Sequence, residues 1–185
     1  MRTRAFIAAA ALVALAAAGL AVWKSEPVWL DRLRYPLRYE AILTTHARKY
    51  DLDPALLAAL VYTESRFRAD ARSSAGAVGL MQLLPETGEA IALRTGGDRF
   101  VVSDLLDPEI NVRYGSWYLR ELLRRYHDTR TALAAYHAGQ GSVDRWRARG
   151  VGIQFPETRA YVDDVLRLVP VYRRAYPAEL SLGGE

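Results

Sequence analysis

The feature that most constrains the fold is a repeated signal for the start of a helix, in which a capping residue is followed by proline. Asp53 precedes Pro54 in DLDP, Asp107 precedes Pro108 in LLDP, and a weaker form begins at Pro156 in FPETRAYVDDVLRLV. An N-cap aspartate accepts a hydrogen bond from a free backbone N–H, and proline suits the first helical position because it has no N–H to leave unpaired. These signals predict helices with defined starting points.

Helical periodicity also marks the segments between these starts. RYEAILTTHARKY places Ile42, Leu43 and Ala47 on one face. Further short helices are expected at residues 85–93, 129–136 and 142–149. No stretch shows sustained strand alternation between turn signals, and the one candidate for a short extended piece is residues 99–102. The sequence therefore predicts a compact, mainly α domain of six to eight helices.

The N-terminus predicts a membrane segment in front of this domain. Ala5–Val22 is an uncharged apolar run of 18 residues behind a short basic segment, and a spanning helix needs about 20, with a lower limit near 17. The alanines before Gly19 also resemble a signal-peptide cleavage site. A retained signal-anchor is preferred over a cleaved signal peptide. In both cases Arg2 and Arg4 stay cytoplasmic and the rest is exported.

Composition excludes several classes of function. The chain has no cysteine, which rules out disulfides, thiol catalysis and cysteine-ligated metals. The three histidines lack metal-ligand spacing, so no metal site is expected. Without the two N-terminal arginines, 23 basic residues face 21 acidic ones, and a charge of +2 with no basic–aromatic cluster gives no reason to expect nucleic acid as a partner.

Glu64 stands out because it follows an apolar stripe. Leu57, Leu60 and Val61 precede it at helical spacing, in the helix that begins at Pro54. Burial and a position near the helix C-terminus both disfavour the ionised carboxylate. A carboxyl that keeps its proton near neutral pH suits a general acid. The simpler alternative is that Glu64 turns to solvent or pairs with a nearby arginine.

The run SSAGAVG after this helix suggests the kind of substrate. Gly76 and Gly79 permit a tight backbone path, while Ser73, Ser74 and Gln82 supply neutral hydrogen-bonding groups. Neutral donors and acceptors beside an acid fit a substrate rich in hydroxyls and amides, such as sugars that carry N-acetyl groups. By itself this signal is weak, because loops rich in serine and glycine are common.

Four segments occur in a defined order: ESRFRADARSSAGAVGLMQLLPETG, LLDPEINVRYGSWYLRELL, ALAAYHAGQGSVDRW and PETRAYVDDVLRLVPVY. Together they resemble the successive motifs of the soluble lytic transglycosylase domain, a bacterial peptidoglycan-cleaving family, over about residues 39–176. The resemblance implies a compact lysozyme-like helical domain that uses no cofactor.

The resemblance also implies roles for individual residues. Glu64 stands where the family has its single catalytic glutamate, and Ser73 matches a serine that positions the N-acetyl group or the reacting hydroxyl. Groove-lining positions and tyrosines near the catalytic carboxyl are matched by Met81, Gln82, Tyr136 and Tyr161. These residues are expected to bind substrate.

His137 departs from the family pattern, which has asparagine in the third position of Ala-Tyr-Asn-Ala-Gly. Histidine still forms hydrogen bonds, but its charge changes between about pH 5 and 8. A tolerated loop substitution is the simpler explanation than a new catalytic base. We keep His137 among the predicted substrate-binding residues.

The mechanism implied by the resemblance needs one carboxyl group. Glycosidases usually use two, but Asp70 is only close in sequence and is better explained as a solvated loop residue. Glu64 would protonate the glycosidic oxygen between N-acetylmuramic acid and N-acetylglucosamine. It would then act as base on the C6 hydroxyl and leave a 1,6-anhydro end. A hydrolytic muramidase of the same fold and a catalytically weak wall-binding or assembly module remain open alternatives.

The expected organisation follows from these predictions. It consists of a signal-anchor or signal peptide at 1–23, a short stalk at 24–38, the transglycosylase domain at 39–176 and a tail at 177–185. The expected partners are peptidoglycan glycan strands and the membrane, the latter through the N-terminal segment. The expected location is extracytoplasmic, on the periplasmic or cell-wall side, with an anchor in the cytoplasmic membrane.

Overall fold

The computed structural model describes Gly19 and residues 27–182. The chain divides into two compact units, residues 1–36 and 37–185. In the first unit, helix α1 spans Val28–Arg34. No helix among the described residues is long and apolar enough to cross a membrane, and the predicted membrane segment at 5–22, apart from Gly19, lies outside them.

The described part of the second unit is helical. Its elements are α2 (Glu40–Lys49), α3 (Pro54–Ser65), α4 (Pro85–Thr95), a 3₁₀ helix (Val102–Leu106), α5 (Pro108–Tyr126), α6 (Thr129–Ala138), α7 (Gln140–Ala148) and α8 (Pro156–Ala175). The only extended pairing among the described residues consists of two isolated bridges, at 72–78 and 78–83. The predicted mainly α domain of six to eight helices is therefore confirmed.

The predicted helix starts are where the sequence places them. The Asp53 carboxylate accepts a hydrogen bond from the Ala55 N–H at 2.9 Å, and Asp107 accepts one from the Ile110 N–H at 3.0 Å. Helix α8 begins at Pro156 without a side-chain cap. Each cap satisfies a backbone donor that would otherwise lack a partner, which fixes the first turn of α3 and of α5.

The predicted extended piece at residues 99–102 was wrong at Val102. Val101 is extended, but the 3₁₀ helix starts at the next residue, Val102. The Asp104 carboxylate accepts a hydrogen bond from the Val101 N–H at 3.0 Å. This local side-chain bond stabilises a turn of helix in place of strand pairing.

Helix α3 forms the centre of the core. Every residue from Pro54 to Val61 is buried, so the helix is apolar on all sides along this length and not only on the predicted stripe. It packs against α2 and α8, while α6 contacts α5, α7 and α8. This packing holds the C-terminal end of α3, with Glu64, beside the N-terminal half of α8.

Candidate active site

Glu64 lies in the last turn of α3, directly before a sharp change in chain direction. Arg66 and Phe67 both adopt left-handed backbone conformations, with φ of +52° and +59°. Such conformations are uncommon for residues other than glycine and cost free energy. The Phe67 ring is buried and packs edge-on against Tyr172, with 6.3 Å between ring centroids. The buried ring stabilises the turn that ends α3 just after Glu64.

The Glu64 carboxyl has a neutral hydrogen-bond donor as its partner. The Tyr161 hydroxyl donates to Glu64 Oε1 at 2.6 Å. Burial raises the pKa of Glu64 to about 7, and the hydrogen bond from Tyr161 opposes this shift. The residue as a whole is partly exposed. A carboxyl with this pKa populates both protonation states at neutral pH and remains open to a ligand.

Two tyrosines lie close to this carboxyl, which is the position that the family resemblance implies for them. Burial, followed by the nearby charge of Glu64, holds the pKa values of Tyr136 and Tyr161 well above their usual range. The Tyr136 hydroxyl donates to the Met81 carbonyl at 2.8 Å, and the Tyr136 ring lies 5.5 Å from the Tyr118 ring. Both hydroxyls therefore stay protonated and act as hydrogen-bond donors.

The loop between α3 and α4 uses its polar side chains to hold its own shape. The Ser73 hydroxyl accepts a hydrogen bond from the Ala77 N–H at 3.0 Å, and the Gln82 amide nitrogen donates to the carbonyls of Ala71 at 3.2 Å and Gly79 at 2.9 Å. A hydroxyl that accepts one bond still has a hydrogen to donate, and an amide that donates still has an oxygen to accept. Substrate binding by Ser73 and Gln82 stays a prediction.

Met81 differs from its predicted position as a groove-lining side chain. The side chain is fully buried, and a Cβ added at Gly115 would clash with its sulfur. With no exposed surface, the Met81 side chain packs under the loop, and its carbonyl holds Tyr136 in place. The glycine on α5 lets the methionine side chain fill the core, and substrate binding at Met81 stays a prediction.

Asn111 is a residue that the sequence reasoning missed. Its side chain is fully buried, accepts from the Met81 N–H at 2.7 Å, and donates to the carbonyls of Val78 at 2.9 Å and Leu105 at 2.8 Å. Gly79 has φ of +84°, and a Cβ there would clash with the Asn111 amide. An amide on the buried face of α5 was the available signal, since buried polar side chains need partners.

His137 lies beside Tyr161. Its Nδ1 is 3.0 Å from the hydroxyl of Thr158, a fully buried residue also missed from the sequence, and its ring centroid is 4.5 Å from that of Tyr161. Burial lowers the pKa of His137, and Glu157 opposes this. The imidazole is therefore mainly neutral at neutral pH and contacts the tyrosine that holds Glu64. Its substrate contact stays a prediction.

Among the described residues, no charged side chain contributes to the raised pKa of Glu64. Asp70 is exposed in the loop. Within the described ranges, no group of three or more His, Asp or Glu side chains could hold a metal ion. The site that the structure assembles is one buried carboxyl, two neutral tyrosine hydroxyls and a polar loop, which suits proton transfer to and from a neutral, hydroxyl-rich ligand.

Comparison with known proteins gives the same family from sequence and from structure. The family model described as "Transglycosylase SLT domain" matches residues 42–152. The soluble lytic murein transglycosylase of Salmonella typhimurium is 33% identical over 152 residues, which is 76% of this chain and 24% of that protein. The transglycosylase of Enterobacteria phage PRD1 is 41% identical over 101 residues, 55% of this chain and 34% of that protein.

Two solved structures extend the comparison to the fold. The 70 kDa soluble lytic transglycosylase of Escherichia coli matches with a TM-score of 0.75 at 28% identity, over 84% of this chain and 27% of that one. A lytic transglycosylase of Pseudomonas aeruginosa, solved as an inactive mutant, matches with a TM-score of 0.72 at 31% identity, over 83% and 26%. This chain thus spans about a quarter of the Salmonella protein's length. The resemblance seen in the sequence is confirmed: the chain belongs to the Transglycosylase SLT domain family.

Proposed function

We propose that this chain is a peptidoglycan lytic transglycosylase in which Glu64 serves as both acid and base. The observation that carries the proposal is the Glu64 carboxyl itself. It accepts a 2.6 Å hydrogen bond from the neutral Tyr161 hydroxyl and has a pKa raised to about 7 by burial. Near that pH the protonated and ionised forms coexist, so one group can donate a proton and later accept one.

In the first step, protonated Glu64 donates its proton to the glycosidic oxygen between N-acetylmuramic acid and N-acetylglucosamine. The bond between this oxygen and C1 of the N-acetylmuramic acid breaks, and the N-acetylglucosamine leaves as an alcohol. The N-acetyl group of the muramic acid stabilises C1. Tyr161 occupies Oε1, which leaves the other carboxyl oxygen for this transfer. Such proton transfer contributes about 10²–10⁴ in rate.

In the second step, ionised Glu64 takes the proton of the muramoyl C6 hydroxyl. The C6 oxygen then bonds to C1 and closes the 1,6-anhydro ring, and Glu64 is protonated again without the use of water. The C6 hydroxyl is part of the same sugar as C1, so its effective concentration is high and a second carboxylate is unnecessary.

Relatives support this proposal through what their names state. The Salmonella relative is named a soluble lytic murein transglycosylase. The Pseudomonas relative was solved as an inactive mutant with glutamate changed to glutamine, and a 70 kDa soluble lytic transglycosylase was solved in complex with bulgecin A. Because this chain spans only part of each, its own activity and substrate are part of the proposal.

The proposal includes the substrate contacts and the location. Ser73 and Gln82 on the loop, Tyr136 and Tyr161 beside the carboxyl, and His137 next to Tyr161 form the set that would face a glycan strand. We place the domain at 39–176, outside the cytoplasm. Residues 1–23 would form a signal-anchor or signal peptide, 24–38 a stalk and 177–185 a tail.

Digestion of purified peptidoglycan, followed by mass spectrometry of the released muropeptides, tests the function. We expect products that end in 1,6-anhydromuramic acid and are lighter by one water molecule than hydrolytic products. The Glu64→Gln variant should bind the wall, remain folded and release nothing. Products with ordinary reducing ends would show a hydrolytic muramidase instead, and wall binding by the unsubstituted chain without any release would show a binding module.

A further inference from the structure

A cavity of about 200 Å³ lies between α4, α5 and the start of α7. Its lining combines two aromatic rings with a carboxylate, a guanidinium and an amide, from Trp117, Tyr118, Glu86, Arg94 and Gln140. Rings offer a flat apolar surface, and planar polar groups offer paired hydrogen bonds. This combination suits a pyranose sugar, whose ring has an apolar face and whose edge carries hydroxyl and amide groups.

A tyrosine that lines this cavity packs against a second tyrosine close to Glu64. The Tyr118 ring, which lines the cavity, lies 5.5 Å from the Tyr136 ring. Tyr136 in turn is close enough for the charge of Glu64 to raise its pKa. A glycan strand bound with its scissile bond at Glu64 would therefore extend along these rings towards the cavity.

Trp117 offers this cavity an aromatic ring on which a sugar can stack. Its ring is partly exposed, and its inner part packs against a core cluster that includes Ile91, Ala92 and Tyr114. It also lines a second cavity of about 160 Å³, on whose wall Lys49 also lies. A ring held rigidly at the junction of two cavities can stack on a ligand with little loss of conformational entropy.

Trp117 lies at the edge of the core, not inside it. The fully buried residues of the helix at this level are Ser116 and Leu119, which share the core-facing side. Trp117 lies beside that side and is partly exposed. An aromatic side chain at such a position, next to a polar cavity, is typical of ligand binding.

We propose that Trp117 forms a further sugar-binding site, which stacks on an N-acetylated sugar of the glycan strand away from the cleaved bond. The inference rests on the proposed function, because it assumes that the strand passes Glu64. Trp117 contributes affinity for long strands, and short ligands that cover only the Glu64 site do not reach it.

The test uses the full chain with Glu64→Gln, so that ligands bind without cleavage. Affinities for a disaccharide and a hexasaccharide of β-1,4-linked N-acetylglucosamine are measured by calorimetry. Adding Trp117→Ala should weaken hexasaccharide binding by about tenfold and leave the disaccharide unchanged, while Trp117→Phe should retain most of the affinity. Leu93→Ala is the matched control, because Leu93 is an 88% exposed apolar residue of α4 outside the cavity lining.

The outcomes separate this inference from the function on which it rests. Equal hexasaccharide affinity with and without Trp117→Ala would overturn the sugar site and leave the transglycosylase proposal standing. No binding of either oligosaccharide to the Glu64→Gln chain would overturn the sugar site, while the muropeptides released by the unsubstituted chain decide the transglycosylase proposal separately.

If Trp117→Ala does not fold, the indole N–H resonance of Trp117, identified by its loss in Trp117→Phe, replaces the affinity measurement. It should shift with the hexasaccharide and not with the disaccharide. An unshifted resonance at saturating hexasaccharide would overturn the sugar site.

Discussion

Glu64 and Glu109 lie at opposite ends of their helices. Their different surroundings suit the two glutamates to different roles. Glu64 is in the last turn of α3, and Glu109 is in the first turn of α5. Each has one short hydrogen-bond contact, to the Tyr161 hydroxyl at 2.6 Å and to His46 Nε2 at 2.7 Å. A helix N-terminus stabilises negative charge and a C-terminus disfavours it.

The two carboxyls also differ in their hydrogen-bond partners and in how deeply they are buried. The Glu109 side chain is 52% exposed and lies against His46 Nε2, so water as well as the imidazole surrounds its carboxylate. Tyr161 remains neutral, and burial raises the pKa of Glu64 to about 7. A carboxyl becomes a candidate acid through burial beside a neutral donor, since a nearby cation would stabilise its ionised form.

Matched glutamine substitutions should give the largest contrast. We expect Glu64→Gln to lower the rate of peptidoglycan cleavage by at least about 10²–10⁴, the usual contribution of a positioned acid or base. Glu109→Gln should retain most of the activity, because Glu109 lies in a structural pair. Muropeptide release from both variants checks this, and similar activities would remove the distinction between the two sites.

The Glu64→Gln variant should lose activity but gain stability at high pH. Since its pKa is near 7 in the folded protein and 4.5 as a free side chain, the unfolded chain releases this proton first as pH rises. The folded state therefore loses stability between these two values, by at most about 3 kcal/mol. Glu64→Gln should remove that loss, which makes the variant more stable than the parent near pH 8 and similar near pH 4.

Urea unfolding at both pH values measures this effect. A variant that is less stable than the parent near pH 8 would show that the ionised Glu64 is stabilised by its surroundings. That result would contradict the role of burial in holding its proton.

Removal of the Tyr161 hydroxyl should lower the activity, but by less than Glu64→Gln does. The hydrogen bond from Tyr161 lowers the pKa of Glu64, so Tyr161→Phe should move the upper inflection of the pH–rate profile to higher pH. Activity near neutral pH should fall by about tenfold, the effect of losing a hydrogen bond to a charged group. Tyr126→Phe is the control, since Tyr126 donates to Asp144 at 3.0 Å on another part of the surface and should leave the profile unchanged.

The smallest effect is expected for the stability of Glu109→Gln. Because its side chain is half exposed, loss of the contact with His46 should destabilise the protein by about 1 kcal/mol or less. The sign is opposite to that of Glu64→Gln near pH 8. Thermal unfolding at that pH compares the two, and a Glu109→Gln variant more stable than the parent would contradict a stabilising pair.

Local signals in the sequence were enough to predict the helices and to single out Glu64. The caps at Asp53 and Asp107 depend on bonds to residues two or three positions away, so they can be read without the fold. Glu64 was found because a carboxylate that follows apolar residues on one helix face is unusual. The tyrosines and the polar loop came from the family resemblance, and the structure brings Tyr136 and Tyr161 close to Glu64.

Contacts between distant segments could not be predicted in the same way. Asn111 bonds to Met81 across 30 positions, and nothing in either local segment indicates the other. The burial of Met81 depends on the glycine at 115, and the contact between the rings of Tyr118 and Tyr136 joins α5 to α6. These features arise from how the helices pack, and periodicity within one helix carries no information about its neighbour.

The Asn111 amide has a consequence for the motions of the loop above it. The Met81 N–H belongs to no helix, yet it donates to a fully buried side chain that is held by two further carbonyls. Deuterium should therefore replace this hydrogen as slowly as it does those of core helices, since exchange requires the turn to separate from α5. The irregular loop that follows Glu64 would then behave as part of the most slowly opening unit of the domain.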